Sequence, residues 1–320
     1  MASKPTFCQF IYILFILIIS INTVQAEQLG YSRIDLGDKM QLNYHWLDQQ
    51  QKEQTLSFTV DKQVLFGHFR NFKSYKSQYS EAYVIKKLKA YCRQNPFTNV
   101  TVNFNQKDQQ VSLNIQGKNQ QEVNAAYQKL KHLEQQYLNE YLNQHYYHKF
   151  TTYLGEQAIK PNHVEIANKS VLDVKVLKPI ILEKVSVQNI RKVTNFILNF
   201  VQSIPYSPLE SRITSSGAGF YPPLTLLYKN QGDCDSKVTL AAAMLRSLMP
   251  RINIIIIYIE QHALFGIEVM PMANELTLSY QGTTYVLAEP TGPALYPLGE
   301  VDDFSKQAVL AGLYSVEKIK

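Results

Sequence analysis

One helical pattern followed directly by consecutive strand patterns limits the fold of this chain more than any other feature. Residues 235–248 read as a helix rich in Ala and Leu. Residues 252–259, 263–270 and 276–288 then read as strands, the last split by a turn at Gln281-Gly282. A helix followed by a run of strands is an α+β layout, not a doubly wound one. The Ile-rich run 252–259 is interrupted by Asn253 and is far too short to cross a membrane, so it reads as a buried strand.

The first half of the chain carries a second α+β pattern. Strand alternation appears at 41–46 and 55–60 around a polar turn at 48–53. Residues 78–93 follow with a helical stripe of Tyr79, Tyr83, Ile85, Leu88 and Tyr91, stopped at Asn95-Pro96. Strands at 98–104 and 110–116 flank a turn at 105–108. A long amphipathic helix, 120–146, carries Val123, Tyr127, Leu130, Leu133, Tyr137 and Tyr141. Hairpin, helix, hairpin, helix predicts a small α+β domain, with the tyrosines as packing rather than a ligand platform. Residues 154–184 connect the halves, and a second apolar helix is expected at 187–204, followed by a Pro-, Ser- and Gly-rich loop at 205–223. The expected organisation is a signal peptide at 1–26, an N-terminal α+β domain at 27–170 and a second domain at 171–320.

The signal-peptide reading rests on Lys4, the apolar run from Phe10 to Ile21, and small or apolar residues at Val24 and Ala26, which place cleavage after Ala26. An uncleaved N-terminal anchor is the competing reading, although the run falls short of the roughly 20 apolar residues that a span needs. Cleavage leaves no integral membrane segment and a periplasmic or secreted protein. Cys8 departs with the signal, and Cys92 and Cys234 remain. A net charge of +6 with interleaved signs lacks the clustered cations that nucleic-acid binding requires.

The residues that point to chemistry cluster around Gln231-Gly232-Asp233-Cys234-Asp235-Ser236-Lys237. Gly232 permits close backbone approach, and Asp233 or Asp235 can cap the following helix. Cys234 then falls at the helix start, where free N–H groups and the positive helix end favour a thiolate and can hold an oxyanion. As a small apolar residue Cys234 could equally be core, but a glycine and two carboxylates are poor core neighbours. Their charge opposes a thiolate, so a base is required. His262, 28 positions on, opens a strand and can serve. Glu289, 27 positions further, ends an apolar strand before Pro290 and can orient the His from a neighbouring antiparallel strand. The bland readings are a surface His and a turn Glu.

The order of helix-starting Cys, strand His, and carboxylate followed by Pro-Thr resembles the transglutaminase-like, papain-related superfamily. It is most similar to the bacterial transglutaminase-like cysteine peptidases, where Gly-Asp-Cys-Asp recurs. The Val201-Gln202-Ser203-Ile204-Pro205-Tyr206 segment and Pro222-Pro223-Leu224 add to the resemblance, which covers 187–299. It implies a transglutaminase-like C-terminal domain, its Cys-bearing helix packed on an antiparallel sheet. It also implies a Cys234-His262-Glu289 triad and a thioester intermediate on amide bonds of envelope proteins or peptides. Hydrolysis is the leading outcome, with transamidation or a non-catalytic scaffold as alternatives. Glu289 stands where Asp is more usual, which alters its reach by one methylene. In relatives a side chain upstream of the Cys completes the oxyanion site; Gln202 and Gln231 are the candidates here. No cofactor or metal is expected: His132, His145 and His148 lack the spacing of a zinc motif, and neither a calcium loop nor a Gly-rich phosphate loop occurs.

Overall fold

A computed structural model describes residues 26–107, 110–210 and 219–319; the expected signal segment lies outside them, apart from Ala26. The chain opens with three antiparallel strands, β1 (Glu27–Leu36), β2 (Lys39–Leu47) and β3 (Glu53–Asp61). The alternation in β2 and β3 puts Leu42, Tyr44 and Trp46 opposite Phe58, Leu56 and Gln54, with one apolar face buried. Helix α1 (Lys62–Gly67) leads to α2 (Ser77–Gln94), then β4 (Val100–Lys107), β5 (Gln110–Gly117) and α3 (Gln120–Gln144). A hairpin of β6 (Tyr147–Thr151) and β7 (Gln157–Pro161) follows. It leads to α4 (His163–Ser170), a 3-10 turn (Asp173–Val176), α5 (Leu177–Leu182) and α6 (Ile190–Ser203). The remainder is α7 (Pro223–Lys229), α8 (Cys234–Leu248), β8 (Ile254–Ile259), β9 (His262–Ile267), β10 (Thr277–Tyr280), β11 (Thr283–Ala288), α9 (Asp303–Leu310) and β12 (Ser315–Ile319).

The architecture is α+β with wholly antiparallel sheets. The main sheet runs β10-β11-β9-β8-β12. Its centre explains the apolar run at 254–259. Ile254, Ile256 and Tyr258 face the core that contains α8, while Ile255, Ile257 and Ile259 face a second core with Leu264, Leu287 and Val309. A strand covered on both faces needs no polar alternation. Helix α8 is apolar almost all round and correspondingly central, with residues 240–245 fully buried.

The division expected near residue 171 does not follow the packing. The apolar face of β2–β3 lies on α6: Trp46 and Tyr44 meet Phe200 with ring centroids at 5.2 and 5.0 Å. The hydroxyls of Tyr31 and Tyr44 donate to carbonyls at the end of α7, from Tyr228 and Leu227. One continuous core therefore joins β1–β3 to α6, α7, α8 and the main sheet. The separate small unit is only α2, β4–β5 and α3, built around Val84, Leu88, Leu130 and Leu133. Alternation identifies which face of a strand is buried, not what buries it. Strand β1, the β6–β7 hairpin, α7, α9 and β12 were not expected from the sequence, being short or weakly patterned.

Candidate active site

The turn between α7 and α8 sets the position of Cys234. Asn230 closes α7 in a left-handed conformation (φ 53°). Gly232 then bridges the 205–207 segment: its N–H donates to Pro205 O at 3.2 Å and its carbonyl accepts from Ser207 N–H at 3.0 Å. A Cβ at 232 would lie 2.6 Å from Leu226 Cδ1, which is why glycine sits there. Asp233 is the N-cap of α8, accepting the Ser236 N–H at 3.0 Å. Cys234 is thus the first helical residue, 9% exposed, and its own N–H has no acceptor among the described residues.

His262 opens β9 directly after the turn from β8. The sulfur of Cys234 touches the backbone on both sides of it: Gln261 O lies 4.0 Å away, and the Ala263 N–H points at Sγ. Nε2 of His262 and Oε2 of Glu289 are 2.7 Å apart. That leaves Nδ1 as the ring nitrogen available to a thiol. No hydrogen bond joins Sγ to the ring in this resting arrangement.

Glu289 is 2% exposed and held at several points. Oε1 accepts the Thr291 N–H at 2.8 Å, and its backbone carbonyl accepts Gln202 Nε2 at 2.7 Å. Gln202 spends its other amide hydrogen on Tyr296 O at 2.9 Å. Two carbonyls fix that amide's orientation, since its oxygen could not face them. Gln202 therefore holds the Glu289 loop and has no hydrogen left for an oxyanion. The loop packs so tightly that a Cβ on Gly292 would lie 2.1 Å from Gln202 O. Gln231 is half-buried just ahead of Gly232.

Electrostatics divide the site. Burial pushes the Cys234 thiol well up, and the charges of Asp235 and Asp233 push it further; the Ala263 and Asp235 N–H groups pull it down. For His262, burial alone lowers the pKa, but the hydrogen bond and charge of Glu289, with Asp302 and Asp235, outweigh it and the net shift is upward. The resting pair is a neutral thiol beside a ring that gains protons readily. Lys237, one turn beyond Cys234, is fully buried and lowered to about 7 by desolvation, against the charges of Glu289, Asp233 and Cys234. Its ammonium donates to Ile204 O. Asp233 is pushed up to about 7 by burial and by Asp235.

Comparison adds no relative. No protein-family model, curated protein or solved structure matches this chain.

His262, Glu289 and Asp302 offer ligand atoms within 4.8 Å of one another. Asp302 caps α9, its two oxygens taken by the Ser305 N–H and hydroxyl, and Glu289 is occupied as above. The two carboxylates act on His262 as negative charge. Of the other histidines, His145 meets Tyr141 O and His148 meets Glu317, so they do not converge. Cys92 and Cys234 are both free; Cys92 packs against the small α2–α3 core, and Cys234 opens α8. Two cavities, of about 930 and 630 Å³, lie along α2 and the β4–β5 hairpin rather than at Cys234. Sequence reasoning missed Tyr206, 53% exposed and close enough to Cys234 and Asp233 to feel their charge, and the buried Lys237.

Proposed function

We propose that the chain is an exported thiol enzyme of transglutaminase-like fold that acts on amide bonds of envelope proteins or peptides. The observation that carries this reading is the arrangement around His262. Glu289 occupies Nε2 at 2.7 Å, and Cys234, at a helix N-terminus, lies against the backbone on both sides of the same residue. A buried carboxylate bonded to one ring nitrogen fixes the tautomer and leaves the other nitrogen as base. The signal-like N-terminus supports export.

Because the resting thiol is neutral, its proton passes to His262 Nδ1 as the sulfur attacks the amide carbon, rather than beforehand. Attack forms the C–S bond and an oxyanion, for which the Cys234 N–H, without an acceptor among the described residues, is a backbone donor. The C–N bond then breaks, the amine leaves with the proton from His262, and a thioester remains. Water activated by His262 hydrolyses the thioester; a substrate amine would instead give a crosslink. Tyr206 and the 205–207 segment form the exposed wall on which a peptide can lie.

A non-catalytic scaffold is the second reading. The missing thiol–imidazole hydrogen bond and the raised thiol favour it. The deciding experiment compares envelope proteins incubated with the wild type and with Cys234→Ala by mass spectrometry. New N-termini that need Cys234 indicate hydrolysis, and linked peptide pairs indicate transamidation. Identical peptide maps would leave the scaffold.

A further inference from the structure

The small unit of α2, β4–β5 and α3 leaves one of its faces unfinished. Helix α3 packs against both strands of the hairpin, and α2 packs on α3. The sheet beside these two helices has only two strands. Strand β4 pairs with β5, from Val100 opposite Gly117 to Lys107 opposite Gln110, and no strand lies on its other edge among the described residues. Alternate residues of an edge strand turn N–H and C=O outward, so about four of the eight in β4 do so. Beyond that edge, between β4 and α2, lies a cavity of about 930 Å³. Neighbouring strands sit about 4.8 Å apart, so a third strand added to β4 would occupy this gap.

The side chains around the gap describe the strand that fits. Val102 and Phe104 of β4 and Ile85 of α2 line it, all half-buried, and offer apolar surface to alternate side chains of an incoming strand. Helix α2 adds Lys86, Lys89 and Arg93, at spacings of three and four that put them on one helix face. All three are exposed. The ion pairs of this unit are Lys87–Glu140 and Lys131–Glu134, so the three cations have no carboxylate partner among the described residues. Lys89 Nζ rests 5.6 Å from the centroid of the Phe104 ring, across the gap. Among the described residues Glu81 is the one carboxylate that lines it. Three cations against one carboxylate favour an anionic partner. A second copy of β4 does not meet that requirement, because Val100–Lys107 has no Asp or Glu and ends in a lysine.

We infer that the groove between α2 and β4 docks an extended, acidic segment of a partner protein, which adds to β4 as a third strand and sets its carboxylates against Lys86, Lys89 and Arg93. Main-chain bonds to β4 supply affinity, and the cations supply the preference for acidic side chains. The groove belongs to the small unit and not to the core that holds α8, so the inference stands apart from any amide chemistry at Cys234.

The test is fluorescence anisotropy of a fluorescein-labelled peptide of about eight alternating Val and Glu residues. It is titrated with the purified full chain carrying Cys234→Ala, so that no cleavage intervenes. This peptide should bind at least about tenfold more tightly than the matching Val-Lys peptide. Methylating alternate peptide amides keeps the charges but removes ladder donors, and should weaken binding about tenfold. Lys86→Glu combined with Arg93→Glu should reverse the order of the two peptides. On binding, hydrogen exchange should slow in β4 and stay unchanged in β9. No binding of the Val-Glu peptide at about 1 mM would overturn the inference. So would equal affinity for the Val-Lys peptide, undiminished binding of the methylated peptide, or an unreversed order in the folded charge-reversed variant. The peptide comparisons need only the unaltered groove, and decide the matter if that variant does not fold. Protection of β4 that grows with protein concentration in the absence of peptide would also overturn it, because a second copy would then fill the groove.

Discussion

Replacing Glu289 by Gln keeps the shape of the side chain and removes its charge, and the consequences can be worked from three contacts. The His262 Nε2–Glu289 Oε2 distance is 2.7 Å. At an effective dielectric constant near 20, a full ion pair at that distance has a gross attraction of about 6 kcal/mol. Burial of the ring opposes it, and a net of about 1.5–3 kcal/mol is typical of a hydrogen bond to a charged group. Because the folded pKa of His262 is raised, this stabilisation is complete below the unfolded value of about 6.5 and fades as pH climbs through the folded pKa. Above it the neutral ring still donates to the carboxylate, but the ion-pair attraction is gone. Urea unfolding of wild type and Glu289→Gln should therefore differ by about 1.5–3 kcal/mol near pH 5.5 and by less near pH 9. The chemistry should suffer too. Thr291 N–H holds the amide oxygen, so the NH₂ group faces Nε2 and drives the ring hydrogen to Nδ1, where the thiol proton must go. Loss of a general base of this kind costs roughly 10²–10⁴-fold in rate. A stability difference that is the same at both pH values would refute the reasoning, because the ring charge would then owe nothing to Glu289.

Further substitutions separate the roles of neighbouring groups. Cys234→Ala should unfold within about 1 kcal/mol of wild type by urea titration while losing thiol labelling at that position, since the sulfur sits at the surface of the core. Gln202→Leu leaves the Glu289 and Tyr296 carbonyls without donors and should cost about 1–3 kcal/mol per stranded group, with slower alkylation of Cys234 as the Glu289 loop loosens. Leu130→Ala removes the centre of the small α2–α3 core and should destabilise that unit by about 2–5 kcal/mol. Hydrogen exchange should then rise in α2 and α3 with no change around α8.

Much of the site was legible because its placement obeys local rules. Gly232 and Asp233 mark a tight turn and an N-cap, so a cysteine after them opens a helix whatever surrounds it. His262 and Glu289 could be put at strand ends because apolar runs and Pro290 bound those strands. The role of Gln202 was not legible, because amide hydrogens go to whichever carbonyls the fold brings near. Those carbonyls lie 87 and 94 positions from Gln202.

The sequence by itself determined the α+β layout, the helix that presents Cys234 and the order of the three candidate groups, because periodicity, capping and strand length act over a few residues. The tertiary structure alone decided that β1–β3 joins the core of α6 and α8, that Glu289 is clamped by Gln202, and that burial leaves the thiol neutral and Lys237 near 7. Those outcomes depend on which surfaces exclude water from which charges, and desolvation is a property of the assembled interior rather than of any segment of the chain.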